Sequence, residues 1–114
     1  MSFWDTLFSK RPEQQQNITL LPSAEFLVAV FGTKVQLVDV RTPREYHDEH
    51  INGAINIDWS QPFFFRKEIK KLNKEQPVYL YCRTSNRSQK VAKWLAKSGF
   101  AEIYDLQGGI ISEK

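Results

Sequence analysis

From Ile18 onward the apolar residues fall in short runs that switch between two spacings, and this switching predicts strands and helices in alternation. Ile18 to Leu21 reads as a strand, and Pro22-Ser23 opens a helix over 24–31 that Gly32 stops. Val35 to Val40 is nearly continuous in apolar character and rich in β-branched residues, as a central parallel strand covered on both faces requires. Thr42-Pro43 ends it, Pro43 suits the first turn of a short helix through His47, and Gly53 permits a turn into a strand over 54–57. Residues 63–72 have a helical pattern, and Pro77 precedes Val78 to Tyr81, the clearest strand in the chain. Val91, Ala92, Trp94, Leu95 and Ala96 form one face of a helix over 87–98 with Gly99 as its C-terminal cap, and Ile103 to Leu106 gives a last strand before Gly108-Gly109. The fold class expected is α/β, with a mostly parallel central sheet and helices on both faces. In such sheets ligands bind beyond the carboxyl ends of the strands.

Ahead of this pattern, Phe3, Trp4, Leu7 and Phe8 recur at helical spacing and a polar stretch follows. Residues 1–17 are therefore read as an amphipathic segment and linker, and residues 18–114 as the domain. The amphipathic segment either docks on the domain's own surface or serves a membrane surface or partner. It lacks the features of a secretory signal, and no window reaches membrane-spanning length.

Length and composition change this picture little: 114 residues suit one domain, and 41% hydrophobic with 25% charged residues suits a globular core. The net charge of +3 is spread among interspersed acidic residues, which fits a small anion better than nucleic acid. The basic run from Arg66 to Lys71 reads as the solvated face of a helix.

Cysteine usage is more informative. One cysteine allows no intramolecular disulfide, and neither zinc-type Cys/His spacing nor a resolving thiol is present. A reducing, cytoplasmic setting is the default for such a chain, and no cofactor or metal is called for.

Cys82 follows the strand 78–81 directly, and Arg83-Thr84-Ser85-Asn86-Arg87-Ser88 leads from it into a helix. A loop between a strand end and a helix start turns backbone N–H groups inward, and these with the helix dipole stabilise a negative charge such as a thiolate. Arg83 and Arg87 add to that field. The alternative, a buried structural thiol, is disfavoured by two arginines and several polar residues within six positions.

The run Cys82 to Ser88 resembles the active-site loop of single-domain rhodaneses, Cys-x-x-Gly-x-Arg-Ser or Ala. Val38-Asp39-Val40-Arg41, Glu45-Tyr46, His50-Ile51 with Gly53-Ala54, Asn56-Ile57, Gly99-Phe100 and Gly108-Gly109 resemble the same family over residues 18–110. Ser85 departs from the family's usual glycine and Glu49 from a glycine often found before His-Ile, and no tryptophan follows Gly109, so a final helix is expected to be short or absent.

The resemblance implies a sulfurtransferase moving a sulfane sulfur from thiosulfate or a related donor to a thiol, cyanide or protein acceptor through a Cys82 persulfide. It implies a cradle of loop amides from Arg83 to Ser88, with Arg83 contacting the anionic substrate and Arg87 either facing the ligand or, the reading preferred, bracing the loop through carbonyls. Asp39 and Arg41 are expected as structural supports in a charge pair with Glu45, and His50 as a turn-stabilising hydrogen bonder. Trp59 and Phe63 to Phe65 are placed to line the pocket mouth, but most of them are expected to pack in the core. The alternatives are a persulfide carrier or protein-interaction module with little small-molecule turnover. A cysteine phosphatase is disfavoured because Cys82 and Arg87 are one residue too close together for that loop.

Overall fold

The computed structural model describes residues 17–32 and 34–113. The amphipathic helix expected over residues 2–9, and the polar stretch through residue 16, lie outside the described residues. Five strands, β1 (Ile18–Leu21), β2 (Gln36–Asp39), β3 (Ile55–Asn56), β4 (Val78–Tyr81) and β5 (Ile103–Leu106), alternate with four helices. The helices are α1 (Ser23–Val30), α2 (Pro43–Asp48), α3 (Pro62–Ile69) and α4 (Asn86–Lys97), and a 3-10 turn, Ile110–Glu113, follows β5.

The sheet has the order β1-β5-β4-β2-β3, and every pairing in it is parallel. Its register aligns Val38 with Leu80 and Leu80 with Asp105, so these side chains share one face. That face, with Cys82, Val78 and Ile103, packs under Phe65 and Ile69 of α3 and Val91, Ala92 and Leu95 of α4. The opposite face buries Leu37, Tyr81 and Leu106 against Phe26 and Val30 of α1. The near-continuous apolar runs of the central strands are thus explained by burial on two sides.

Local chemistry sets the helix ends. Thr42 and Glu45 form a reciprocal capping box at the start of α2, with Pro43 in its first turn. α4 ends in a Schellman arrangement in which Gly99 takes φ 97° and the Phe100 N–H donates to the Leu95 carbonyl at 3.1 Å.

The second short strand is narrower than the pattern predicts: only Ile55 and Asn56 pair, with Val38 and Asp39, because the Ala54 N–H is taken by the Ile51 carbonyl in the preceding turn. The three consecutive phenylalanines divide. Phe65 is core, edge-on to Trp59 and Trp94, whereas Phe63 is 87% exposed and Phe64 is exposed beside it, which corrects the expectation that most of this cluster packs inside.

Candidate functional site

Cys82 stands at the carboxyl end of β4, and its sulfur is fixed from the helix side. The Ser88 N–H donates to Sγ at 3.2 Å, and the Cys82 thiol donates to the Ser88 Oγ at 3.3 Å. Of the loop N–H groups from Arg83 to Ser88, the Ser88 amide, at the first turn of α4, is the one that bonds the Cys82 sulfur itself.

Cys82 is also 1% exposed, and it packs with Val38, Val40 and Leu80. This corrects the inference that polar neighbours keep it out of an apolar environment. Arg83, Thr84 and Asn86 are exposed while Ser85 and Ser88 are buried, so the loop turns its polar side chains outward above a sulfur set into its floor.

Ser85 sits in the left-handed region, at φ 75° and ψ 0°, as the residue before α4, and its side chain makes no capping bond. The family's glycine at this place is accounted for by that backbone. Serine occupies it here against a steric cost of about 1 kcal/mol.

Two further contacts hold the loop. Arg87 donates through both guanidinium nitrogens to Glu45, at 2.8 and 3.1 Å, bracing the loop to α2 through a carboxylate and not through carbonyls as expected. Arg87 and the Thr42 cap together hold the Glu45 carboxyl far down, at about 2. On the other flank the chain after β5 closes over the loop: the Ile110 N–H donates to the Cys82 carbonyl at 2.8 Å and the Ile111 N–H to the Arg83 carbonyl at 3.2 Å. Gly109 makes this approach possible. It has φ 74°, and a Cβ there would overlap the Arg83 carbonyl and lie 2.6 Å from the Thr84 nitrogen.

Asp39 and Arg41 form a buried pair of their own at 2.7 Å, and Glu45 is not part of it. The Arg41 guanidinium also donates to the Glu49 carbonyl at 2.6 Å, and Asn56 ties together the Asp39 and Arg41 carbonyls. This network fixes the turn after β2 beside the Cys82 loop. His50 bonds the Tyr46 carbonyl at 2.8 Å and stacks on the Tyr46 ring, the bonding role its position suggested.

Arg83 has no side-chain partner among the described residues and is exposed next to Cys82, so its guanidinium is open to an anion. A surface depression lined by Val30, Lys34, Gln36, Asn52 and Gln76 lies at the amino-terminal ends of the strands, remote from Cys82, and takes no part in this site.

Asp105 was missed in the sequence. It is wholly buried on β5, and neither carboxylate oxygen has a hydrogen-bond partner among the described residues. Burial pushes its carboxyl up to about 7, opposed only by the Ser88 side chain, which stops short of a complete bond. The signal was available: Ile103 and Asp105 are two apart on a strand, so the same alternation that buries the one buries the other.

Residues 23–112 match the rhodanese-like domain family. The chain is 42% identical over 96 residues to the uncharacterized protein YqhL of Bacillus subtilis, covering 84% of this chain and 72% of that one. It is 36% identical over 75 residues to the thiosulfate sulfurtransferase GlpE of Coxiella burnetii, covering 66% and 67%. Among solved structures, a rhodanese-like domain protein from Staphylococcus aureus superposes with a TM-score of 0.73 at 26% identity, over 84% of this chain and 91% of that one. With the parallel sheet, the loop at the end of β4 and the glycine turn that closes over it, these matches make the chain a member of the rhodanese-like domain family.

Proposed function

We infer that this protein is a sulfurtransferase that carries a sulfane sulfur on Cys82. The observation that supports this most directly is the Cys82 sulfur at the end of a central parallel strand, receiving the Ser88 N–H at the start of α4. A negative charge on that sulfur meets an amide donor and the positive end of a 12-residue helix.

In this reading the Cys82 thiolate attacks the outer sulfur of thiosulfate or a related donor. A new S–S bond forms, the bond to the sulfonate sulfur breaks, and sulfite leaves with its electron pair. The outer sulfur of the persulfide then occupies the space inside the loop, where the remaining amides from Arg83 to Arg87 receive it. Arg83, exposed, adjacent and without a side-chain partner among the described residues, meets the donor's anionic oxygens. Arg87, Asp39 and Arg41 act as supports, since their guanidinium and carboxylate groups are already engaged with one another or with Glu45. A thiol, cyanide or protein acceptor takes the sulfur in a second half-reaction, giving ping-pong kinetics.

The test is the intact mass of the protein before and after thiosulfate, alongside Cys82→Ser, followed by cyanide and a thiocyanate assay. A gain of one sulfur that requires Cys82 and is discharged by cyanide supports the reading. Absence of any gain from thiosulfate and other sulfane donors refutes it.

The carrier alternative is favoured by one observation: Phe63 and Phe64 stand exposed at the start of α3, on the rim of the sheet where the strands end and Cys82 lies. A carrier accepts one sulfur but turns over slowly with cyanide, and Phe63→Ser then weakens delivery to a protein acceptor without affecting loading.

A further inference from the structure

Asp105 is a fully buried carboxyl group whose oxygens have no hydrogen-bond partner among the described residues, and the reaction outlined above gives it no role. Such a group is costly to keep in a core. Its place is specific. Asp105 pairs in register with Leu80, and Cys82 lies two residues beyond Leu80, so Asp105 and Cys82 project from the same face beneath the first turn of α4. Ser88, from that turn, contacts Cys82 Sγ with both its N–H and its hydroxyl, and it is the one polar side chain that acts on the Asp105 carboxyl.

We propose that Asp105 is the positioning residue that takes up the Cys82 proton through the Ser88 hydroxyl, so that the buried site holds one negative charge shared between thiol and carboxyl. The proposal rests on the sulfurtransferase reading for its purpose, though not for its geometry. In the resting arrangement the Cys82 S–H donates to Ser88 Oγ, and the Ser88 hydroxyl lies near Asp105 but short of a complete bond, which it closes to the ionised carboxyl as the relay operates. When the thiolate forms, the sulfur's proton passes to Ser88 Oγ as the Ser88 hydroxyl proton passes to an Asp105 oxygen. The chain of donors then runs the other way, from Asp105 through Ser88 to the sulfur. No proton enters or leaves the site, and the later S–S bond formation and sulfite departure need none.

The charged groups that face this chain are the Arg87 guanidinium, which interacts electrostatically with Cys82, and the exposed Arg83 beside it; both are cations that favour the thiolate and neither takes up its proton. β1 contributes only Ile, Thr and Leu, and Tyr79, Tyr81 and Tyr104 belong to the opposite face of the sheet. On α4, Arg87 is engaged by Glu45, while Lys90, Lys93 and Lys97 are exposed. The upward push that burial gives the Asp105 carboxyl, to about 7, puts its ionisation in the range where such an exchange operates.

The test is the pH profile of Cys82 alkylation by iodoacetamide, over roughly pH 5 to 10, in the wild type and in Asp105→Asn. Two groups sharing one charge titrate in two macroscopic steps. The wild type should therefore show a low plateau of reactivity and then a second rise on the order of tenfold, whereas Asp105→Asn should show a single step. An independent readout uses the unaltered protein, so the folding of the variant does not decide the matter. The infrared difference spectrum on thiosulfate loading should gain a protonated-carboxyl band, and cyanide discharge should remove it. A single-step wild-type profile that superimposes on that of Asp105→Asn, or loading without the carboxyl band, overturns the proposal. If thiosulfate loads nothing while alkylation of the wild type remains two-step, the sulfurtransferase reading falls and the Cys82–Ser88–Asp105 coupling stands.

Discussion

Gly109 and Gly32 form a matched pair for separating backbone conformation from contact. Their φ values are 74° and 73°, yet a Cβ at Gly32 meets nothing within 4 Å, while one at Gly109 runs into the Arg83–Thr84 peptide. Replacing either with alanine forces a side chain into the left-handed region, a cost of about 1–2 kcal/mol that the lower unfolded-state entropy of alanine offsets in part. Gly109→Ala adds the overlap with the loop, for which overpacking costs of about 1–3 kcal/mol apply. The expected losses are therefore about 1 kcal/mol for Gly32→Ala and about 2–4 kcal/mol for Gly109→Ala, a large share of the stability of a small domain. At about 4 °C per kcal/mol, the two variants should melt about 4 °C and about 8–16 °C below the wild type. The loop readout differs as well. Gly109→Ala should lower the rate of Cys82 loading from thiosulfate at least tenfold, because the bonds from Ile110 and Ile111 to the Cys82 and Arg83 carbonyls cannot both survive the displacement. Gly32→Ala should load at the wild-type rate. Equal stability losses in the two variants, or wild-type loading by Gly109→Ala, would refute the argument that the glycine is required by the loop.

Three other outcomes follow from the same geometry. Asp105 has its carboxyl raised from 3.8 to about 7, so the folded state keeps a proton that the unfolded chain releases and stability falls as pH rises between those values. The fall is at most about 4 kcal/mol, and Asp105→Asn should abolish this slope in urea titrations. Glu45 has the opposite shift, from 4.5 to about 2, so its pairing with Arg87 stabilises fully above 4.5 and is lost as pH falls toward 2. Glu45→Gln, which keeps the capping box, should cost about 1 kcal/mol at neutral pH for this partly exposed pair, with the difference from wild type vanishing in acid. Ser85→Gly should stabilise the protein by about 0.5–1 kcal/mol by relieving the left-handed backbone, whereas Ser85→Ala, which keeps the Cβ, should leave the melting temperature unchanged.

The alternation of elements was legible because each strand and helix of this fold buries its own face, and burial is what hydrophobic spacing records. Thus β1, β4 and β5 fall where the pattern puts them, and α4 runs from the loop to the glycine that caps it. The position of Cys82 at a strand's carboxyl end was legible for the same reason. What the pattern does not carry is pairing across distance. Arg87 and Glu45 are 42 residues apart and meet only because β2 and β4 are neighbours in the sheet. The depth of Cys82 was misjudged because Arg83 and Thr84 belong to the outer wall of a loop whose floor is core. The division of Phe63 and Phe64 from Phe65 depends on the angle at which α3 meets the sheet, and three adjacent identical residues give no hint of it.

The placement of β5 between β1 and β4 has a consequence for how the protein is born. Among the described strands a ribosome emits β1 first, but β1 pairs there only with β5, so the first of the five waits for the last and the sheet cannot close around a partial chain. The turn that bonds the Cys82 and Arg83 carbonyls is emitted later still. Until that turn emerges, the thiol is an ordinary cysteine on a nascent chain, and its special surroundings are assembled only after the rest of the domain has been made.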